Sequence, residues 1–156
     1  SMMTVAKYME YLKDAYIIDE IPQYSTKTKR ELQYYGKIYN SDVCFNSLRA
    51  NNNRYDLDHN LENIVYNELL YMGYDLKVFN NNGKEIDFIA SKDNKVFYIQ
   101  VAYSVADEKA YNREMGAFKD LDNLNQKILI TNDIIDYSTS TIKHIKLEDF
   151  LMKKEL

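Results

Sequence analysis

Acidic and amide side chains on three segments of the chain are the residues best suited to chemistry. Glu62 lies in a helical segment, Asp87 follows 25 residues later inside an apolar strand, and Gln100 comes another 13 residues on, in the next strand. An ionised carboxylate in an apolar strand costs free energy unless it has a partner or a task. Oxygen ligands of this kind can hold Mg²⁺ or Mn²⁺, which phosphodiester cleavage requires. The alternative is that Asp87 ends a strand or only accepts backbone hydrogen bonds.

Two predicted strands, residues 84–91 and 95–103, must position Asp87 and Gln100. Both are rich in Ile, Val, Phe and Tyr, and residues 92–94 between them have the composition of a tight turn. Because side chains alternate along a strand, each strand presents one set on one face. These sets are Glu85, Asp87 and Ile89 on the first strand, and Tyr98, Gln100 and Ala102 on the second.

The helix that carries Glu62 is predicted over residues 61–72, with Asp58 as its cap and Gly73 as its end. Glu62 falls at the edge of the apolar face and Glu68 falls inside it, so both acids are candidates for partial burial. The alternatives are that Glu62 complements the helix dipole and that Glu68 is a buried acid bonded to a nearby donor.

The remaining pattern predicts strands at residues 74–79, 127–131 and 141–147, and helices at 107–124 and 148–156. Residues 4–16 are predicted as a helix, 16–21 as a strand stopped by Pro22, and 31–35 as a strand that pairs back on it. This helix and hairpin resemble the last helix and wing of a winged helix-turn-helix. We therefore divide the chain into a partial winged-helix-like region, residues 1–50, and a core, residues 51–156.

A basic cluster accompanies the predicted wing, and its members are Lys27, Lys29, Arg30 and Lys37. It can contact phosphates, or it can be a solvated surface. The net charge of the 156-residue chain is −4, unlike the broad basic surface of a dedicated duplex-DNA-binding protein. One cysteine excludes an internal disulfide, and no run of 18 apolar residues occurs. We expect a soluble cytoplasmic protein that does not enter membranes.

The segment GKEIDFIA, followed by the strand YIQV and preceded by the helix ENIVYNELLYMGY, resembles the PD-(D/E)XK nuclease superfamily, close to its Holliday-junction-resolvase-like group. More closely, residues 5–151 resemble the domain of unknown function found C-terminal to AAA-type ATPase modules in bacteria and archaea. The resemblance implies an α/β fold with a restriction-endonuclease-like core in the order αβββαβ, a mixed sheet and flanking helices. It also implies that an AAA-type ATPase module, joined to the domain in full-length relatives, is its partner.

The resemblance assigns roles by position. Glu62 matches the helix glutamate of the superfamily and Asp87 its strand aspartate, whereas Gln100 stands in place of the second acid and Ala102 in place of the lysine. Glutamine can lend a metal an oxygen but no charge, and alanine cannot orient or activate water. We therefore expect a nuclease-like domain that has lost catalysis and is a binding or regulatory module of the ATPase. Any Mg²⁺ or Mn²⁺ would be held by Glu62, Asp87 and Gln100.

Two alternatives stay open. One is an active Mg²⁺- or Mn²⁺-dependent endodeoxyribonuclease with a rearranged site, in which Glu85 and Glu68 are supporting candidates. The other is a DNA-binding module that acts through Lys27, Lys29 and Arg30. The sequence lacks the phosphate-loop pattern GxxxxGK[ST], so we expect no ATP hydrolysis by this chain itself.

Overall fold

The computed structural model describes residues 2–24, 36–48, 57–81, 84–119 and 121–156. Its helices are α1 (Met2–Asp14), α2 (Cys44–Leu48), α3 (Leu57–Tyr71), α4 (Glu108–Ala117) and α5 (Leu147–Leu151). Its strands are β1 (Ile18–Ile21), β2 (Gln23–Tyr24), β3 (Lys37–Asn40), β4 (Asp75–Asn81), β5 (Lys84–Lys92), β6 (Lys95–Ala102), β7 (Gln126–Thr131) and β8 (Ile142–Lys146). None of the described helices is long and apolar enough to cross a membrane.

A mixed sheet with helices on both faces forms the centre of the α/β fold. The strand order is β2-β4-β5-β6-β7-β8. Strands β4, β5 and β6 pair antiparallel, whereas β2 pairs parallel with β4, and β6, β7 and β8 run parallel to one another. From α3 onwards the elements follow the predicted order of helix, three strands, helix and strand.

Two hydrophobic clusters cover the two faces of this sheet. The first joins α3 and α5 to one face and includes Leu61, Val65, Leu69, Phe88, Ile99 and Phe150. The second joins α4 to the other face and includes Ile86, Ala102, Val105, Phe118 and Leu129. The central strands β6 and β7 are apolar on both sides because both of their faces are covered.

A second, two-stranded sheet of β1 and β3 packs beside α3. Ile18 of β1 lies opposite Asn40 of β3 in antiparallel register. A Cβ on Gly36 would lie 2.0 Å from the carbonyl oxygen of Ile21, so only glycine permits the close approach that begins β3. Pairing of β1 was predicted with residues 31–35, which lie outside the described residues.

Side-chain hydrogen bonds fix this small sheet to the core. Asn63 of α3 accepts the backbone N–H of Asn40 at 3.0 Å and donates to the carbonyl oxygen of Asn40 at 2.8 Å. The Tyr66 hydroxyl donates to Asp19 Oδ2 at 2.6 Å. The described residues before position 50 therefore contact the core directly, while the division of the chain at residue 50 stays a prediction.

Two local predictions are confirmed, and two others, the cap of α3 and the end of the fourth helix, are wrong. Gly73 ends the first core helix with a φ of 83°, and Asp93 and Asn94 form the predicted β5–β6 turn with φ of 50° and 65°. Asp58 does not cap α3, since the helix begins at Leu57 and Asp58 Oδ1 accepts the backbone N–H of Tyr103 at 2.7 Å.

The fourth helix ends earlier than residue 124, the predicted end. It stops at Ala117, and Phe118 turns into the second cluster, where it is buried. Asp122 then accepts the backbone N–H groups of Leu124 and Asn125, at 2.9 and 3.2 Å. These bonds replace the helical ones, because aspartate competes with the helix for backbone donors.

Candidate functional site

Lys37, on β3, lies at the point where three carboxylates converge. Its Nζ is 2.7 Å from Glu62 Oε1 on α3, 2.5 Å from Glu85 Oε1 and 3.1 Å from Asp87 Oδ1, both on β5. The side chains of Asp87 and Glu62 are 9% and 16% exposed and that of Lys37 is 28% exposed, whereas Glu85 is 42% exposed and lies at the edge open to water. We call these four residues the ion cluster. It joins the small N-terminal sheet to the central sheet through charge.

Tyr39, two residues further along β3, faces the same side as Lys37 and completes the surroundings of Glu62. Its hydroxyl donates a hydrogen bond to Glu62 Oε1. The ring is 1% exposed and stacks on Tyr66 with 4.2 Å between ring centroids. Burial, followed by the charge of Glu62, raises the pKa of Tyr39, so the hydroxyl stays protonated and remains a donor.

A β-bulge in β5 sets the direction of Asp87. Lys77 of β4 lies opposite Ile89, but Phe79 lies opposite Ile86, so β5 has one extra residue between them. As a result Ile86 joins the cluster beside α4, whereas Phe88 joins the cluster beside α3. Regular alternation would have placed both on one face. The bulge therefore changes the face to which side chains of β5 point at the position of Asp87.

Side-chain hydrogen bonds replace the β5–β6 ladder at this bulge. The register ends where Phe88 lies opposite Ile99. Beyond that pair, Asp87 Oδ2 accepts the backbone N–H of Val101 at 3.0 Å. The backbone N–H of Asp87 in turn donates to Gln100 Oε1 at 3.3 Å. Asp87 therefore has one oxygen that accepts a backbone hydrogen bond, as one alternative predicted, and another that faces the ammonium group of Lys37 rather than a metal ion.

The two neighbouring charges, those of Glu62 and Lys37, shift the pKa of Asp87 in opposite directions. At Lys37 the charges of Asp87 and Glu62 both shift the pKa upwards. Burial and then the charge of Glu62 raise the pKa of Asp87 to about 7, although Lys37 and the N–H of Val101 act in the opposite direction. Burial alone would lower the pKa of Lys37, but Asp87 and Glu62 outweigh it and hold this pKa above its ordinary value. Lys37 thus remains an ammonium group at neutral pH, able to stabilise negative charge but not to act as a base.

Gln100 lies on the other face of the sheet from the carboxylate of Asp87. Its Nε2 donates to Glu114 Oε2 on α4 at 2.7 Å, and Arg113 Nε donates to Glu114 Oε1 at 2.6 Å. Glu114 is 4% exposed. The amide of Gln100 therefore connects a buried acid on α4 to the backbone of Asp87, and its oxygen is already used.

The other predicted site residues take different positions. Ala102 is buried in the cluster beside α4, next to Ile86 and Phe118. Glu68 is half-buried on α3 and takes no part in the contacts of Lys37. Lys27, Lys29 and Arg30 lie outside the described residues, so their DNA-binding role stays a prediction.

The donor set does not fit a Mg²⁺ or Mn²⁺ ion in this arrangement. Within the described ranges, no group of three or more His, Cys, Asp or Glu side chains is placed to hold a metal ion. Glu62, Glu85 and Asp87 offer the hard oxygen ligands that such an ion prefers, but they surround the ammonium group of Lys37 instead. We therefore derive no chemical step through a metal.

Three residues of this region were missed or misplaced by sequence reasoning. Lys37 was grouped with the basic cluster of the predicted wing, and Tyr39 and Glu114 were not singled out. A signal existed for Glu114, which lies three residues after Tyr111 and four before Phe118, on the apolar side of α4. For Lys37 and Tyr39 the signal was weaker, since a two-residue alternation shows a shared face but not what that face contacts.

Comparison with known proteins places the core in a family. A family model described as a domain of unknown function (DUF4143) matches residues 57–150. An uncharacterised protein of Haemophilus influenzae is 30% identical over 151 residues, which is 96% of this chain and 37% of that protein. An uncharacterised protein of Methanocaldococcus jannaschii is 34% identical over 140 residues, 83% of this chain and 30% of that protein. The chain thus spans about a third of these relatives. No solved structure gives a significant match.

Proposed function

The chain belongs to the DUF4143 family, and on that premise we propose that it is a PD-(D/E)XK-like domain that does not cut DNA. In this proposal it serves as a binding or regulatory module of a longer protein with an AAA-type ATPase module. The order of helix, three strands, helix and strand supports the assignment of the fold. So does the approach of a helix acid, Glu62, to a strand acid, Asp87, at one cluster.

The observation that carries the proposal is the position of Lys37. A divalent cation would need the carboxylate oxygens of Glu62, Glu85 and Asp87, and each of these residues has an oxygen within 3.1 Å of the lysine ammonium. An internal ammonium group gives each of the three acids a positively charged partner without a metal. Because burial of unpaired carboxylates is costly, these ion pairs keep the ammonium group of Lys37 among the three acids.

The residues that replace the usual acid and lysine support the same conclusion. Gln100 uses both ends of its amide within the protein, on Asp87 and Glu114. Ala102 is 2% exposed in an apolar cluster and offers no functional group. A third ligand and a water-activating group are therefore lacking at the positions where the superfamily carries them.

The greater length of the two relatives supports the proposed role as a module of a larger protein. The two relatives each have about two thirds of their residues outside the matched part. This chain lacks the phosphate-loop pattern, so an ATPase activity in the longer protein would come from those other residues. The domain would then bind or regulate rather than hydrolyse.

A plasmid-nicking assay with Mg²⁺ and Mn²⁺, combined with Mn²⁺ titration followed by electron paramagnetic resonance, tests the proposal. We expect no cutting and no tight Mn²⁺ binding by the wild-type chain. Metal-dependent cutting that disappears in Asp87→Ala and in Glu62→Gln, but persists in Glu68→Gln, would refute it. Glu68 is the matched control because it is a half-buried acid on the same helix as Glu62.

The active nuclease is the second candidate, and one observation favours it. Lys37 brings an ammonium group to 3.1 Å from Asp87, so the lysine that Ala102 fails to supply is present from another element. If this candidate is correct, the wild-type chain nicks plasmid DNA and Lys37→Ala reduces the rate about 100-fold or more. Lys13→Ala, a lysine whose side chain is also 28% exposed, would leave the rate unchanged.

A further inference from the structure

The first helix leaves a band of apolar side chains uncovered. Val5, Tyr8 and Tyr11 are 63%, 64% and 53% exposed, and Leu12 is 37% exposed. These residues recur at helical spacing, so they share one side of α1. The rings of Tyr8 and Tyr11 meet edge to face with centroids 6.3 Å apart. We call these four residues the α1 face.

The edge of α1 beside the α1 face contacts the rest of the described protein. Strand β1 is the element that α1 contacts most. Met9 and Lys13 are half-buried there, and Lys13 Nζ is 3.1 Å from Glu20 Oε2 of β1. The small sheet itself is firmly docked, since Ile21 and Tyr39 are buried. Helix α1 thus has an apolar face that the described residues leave uncovered.

Single exposed apolar side chains are common on protein surfaces and need no explanation. Tyr71 and Leu124 are of this kind, each on its own element. Four on one side of one helix form a continuous patch, which indicates a contact surface. Charge does not oppose such a contact, because Lys7 and Lys13 balance Glu10 and Asp14 on α1 in a chain of net charge −4.

We propose that the α1 face is the surface on which a further folded domain of the same polypeptide docks in longer proteins of this kind. The match to the Haemophilus influenzae relative covers 96% of this chain, which leaves fewer residues outside it than the 13 that form α1. The same match covers 37% of that relative. A helix corresponding to α1 therefore belongs to a protein with a large amount of additional chain.

The size of the α1 face favours a covalently joined domain over a second copy. Its four side chains, partly covered already, offer roughly 400 Å² in total, if each contributes about 100 Å². A stable contact between separate proteins needs about 800 Å² from each partner. Contacts between domains of one chain begin at smaller areas, because the linker already holds the two surfaces together.

Hydrogen–deuterium exchange tests this proposal with two intact proteins, this chain and the full-length Haemophilus influenzae relative. We expect amides of α1 to exchange rapidly in this chain, and those of the corresponding helix in the relative to be protected about tenfold more strongly or better. The helix corresponding to α3, which packs against the core in this chain, is the internal standard. Light scattering should show that this chain is monomeric.

Two results would overturn the proposal. One is equal protection of the α1 helix in the two proteins after normalisation to α3. The other is a dimer of this chain that Tyr8→Glu dissociates and Tyr71→Glu does not, because the α1 face would then bind a second copy. Neither result bears on metal binding or cutting, so the proposed function would stand or fall separately.

Discussion

Lys37 Nζ and Asp87 Oδ1 lie 3.1 Å apart, although the two residues are 50 positions apart in the chain. The contact joins a strand of the small N-terminal sheet to the bulge of the central sheet. It supplies positive charge to an acid that would otherwise be buried without a counter-charge.

Removal of the ammonium group should destabilise the fold. In Lys37→Met, the carboxylates of Glu62 and Asp87 lose their cation while they stay shielded, so we expect a loss of about 2–4 kcal/mol in the free energy of unfolding. Urea unfolding at pH 7.5 measures it. Lys13→Met is the matched control, with the same 28% exposure but exposed partners, and should lose much less. Equal losses in the two variants would contradict the role of Lys37.

The hydroxyl and the ring of Tyr39 should each contribute separately to the free energy of unfolding. Tyr39→Phe keeps the stack on Tyr66 and removes the donor to Glu62, which should cost about 1–2 kcal/mol. Tyr39→Leu also removes the ring stack and should cost about 1 kcal/mol more. Thermal unfolding of the two variants beside wild type gives both differences. A Phe variant as stable as wild type would mean that the hydrogen bond from the hydroxyl to Glu62 makes no net contribution to stability.

Titration of Asp87 should make stability depend on pH between about 4 and 7. Its pKa is raised to about 7 in the fold from 3.8, so the folded protein binds the proton more tightly than the unfolded chain. This contribution is fully present below pH 3.8 and is lost as the pH rises through 7. Denaturant unfolding from pH 4 to 8 should therefore show this loss in wild type but not in Asp87→Asn.

Asp122 is the control for this titration, because its pKa is shifted in the opposite direction, downwards. Desolvation opposes the shift, but hydrogen bonds from Leu124, Tyr98 and Asn125 and the charge of Lys127 lower the pKa of Asp122. Its stabilising contribution is present above pH 3.8 and is lost as the pH falls through its lowered pKa. Asp122→Asn should thus leave the pH 4–7 slope of wild type in place. If Asp87→Asn also kept that slope, the titrating group would be another residue.

Introducing the acid that the proposed PD-(D/E)XK assignment expects at position 100 should destabilise this protein. Gln100→Glu would put a second carboxylate against Glu114 Oε2, where the amide nitrogen now lies at 2.7 Å. We expect a loss of about 2 kcal/mol or more at pH 7.5 and partial recovery at pH 5, as one of the two acids becomes protonated. Urea unfolding at both pH values checks this. A variant of undiminished stability at pH 7.5 would contradict the expected repulsion between the two side chains.

A lysine at position 102 of β6 should also destabilise the fold. Ala102→Lys would bury an ammonium group against Ile86 and Phe118, at an expected cost of about 3 kcal/mol or more. Ala106→Lys, at an exposed position four residues later, should have little effect and serves as the control. A well-folded Ala102→Lys protein would mean that the cluster beside α4 opens more readily than its burial indicates.

Local sequence patterns predicted much of the fold because local physics decides those features. Gly73 ends α3 since its positive φ suits glycine, and the Asp93–Asn94 turn follows from residues that tolerate the left-handed region. The approach of Glu62 and Asp87 to one point was also expected. Spacing alone could not reveal Lys37 as their shared partner, because β3 reaches them only after the small sheet has docked on α3.

The bulge explains why the position of Gln100 was not foreseen. Strict alternation assigns faces only while a strand stays regular, and one extra residue in β5 between Ile86 and Ile89 breaks that rule. Asp87 then turns toward α3 while Gln100 keeps its place toward α4. The two side chains meet through the backbone of Asp87 rather than at a common ion.

By itself, the sequence determined the order of helix, three strands, helix and strand from α3 onwards, and indicated that two acids lie near each other, since periodicity and turn residues act over a few neighbours. Only the tertiary structure decided what those acids bind. Lys37 lies 25 positions from Glu62 and 50 from Asp87, and no local pattern encodes such a contact. It forms because burial of Tyr39 and Ile21 holds β3 against the core, and the charges then pair where water is scarce.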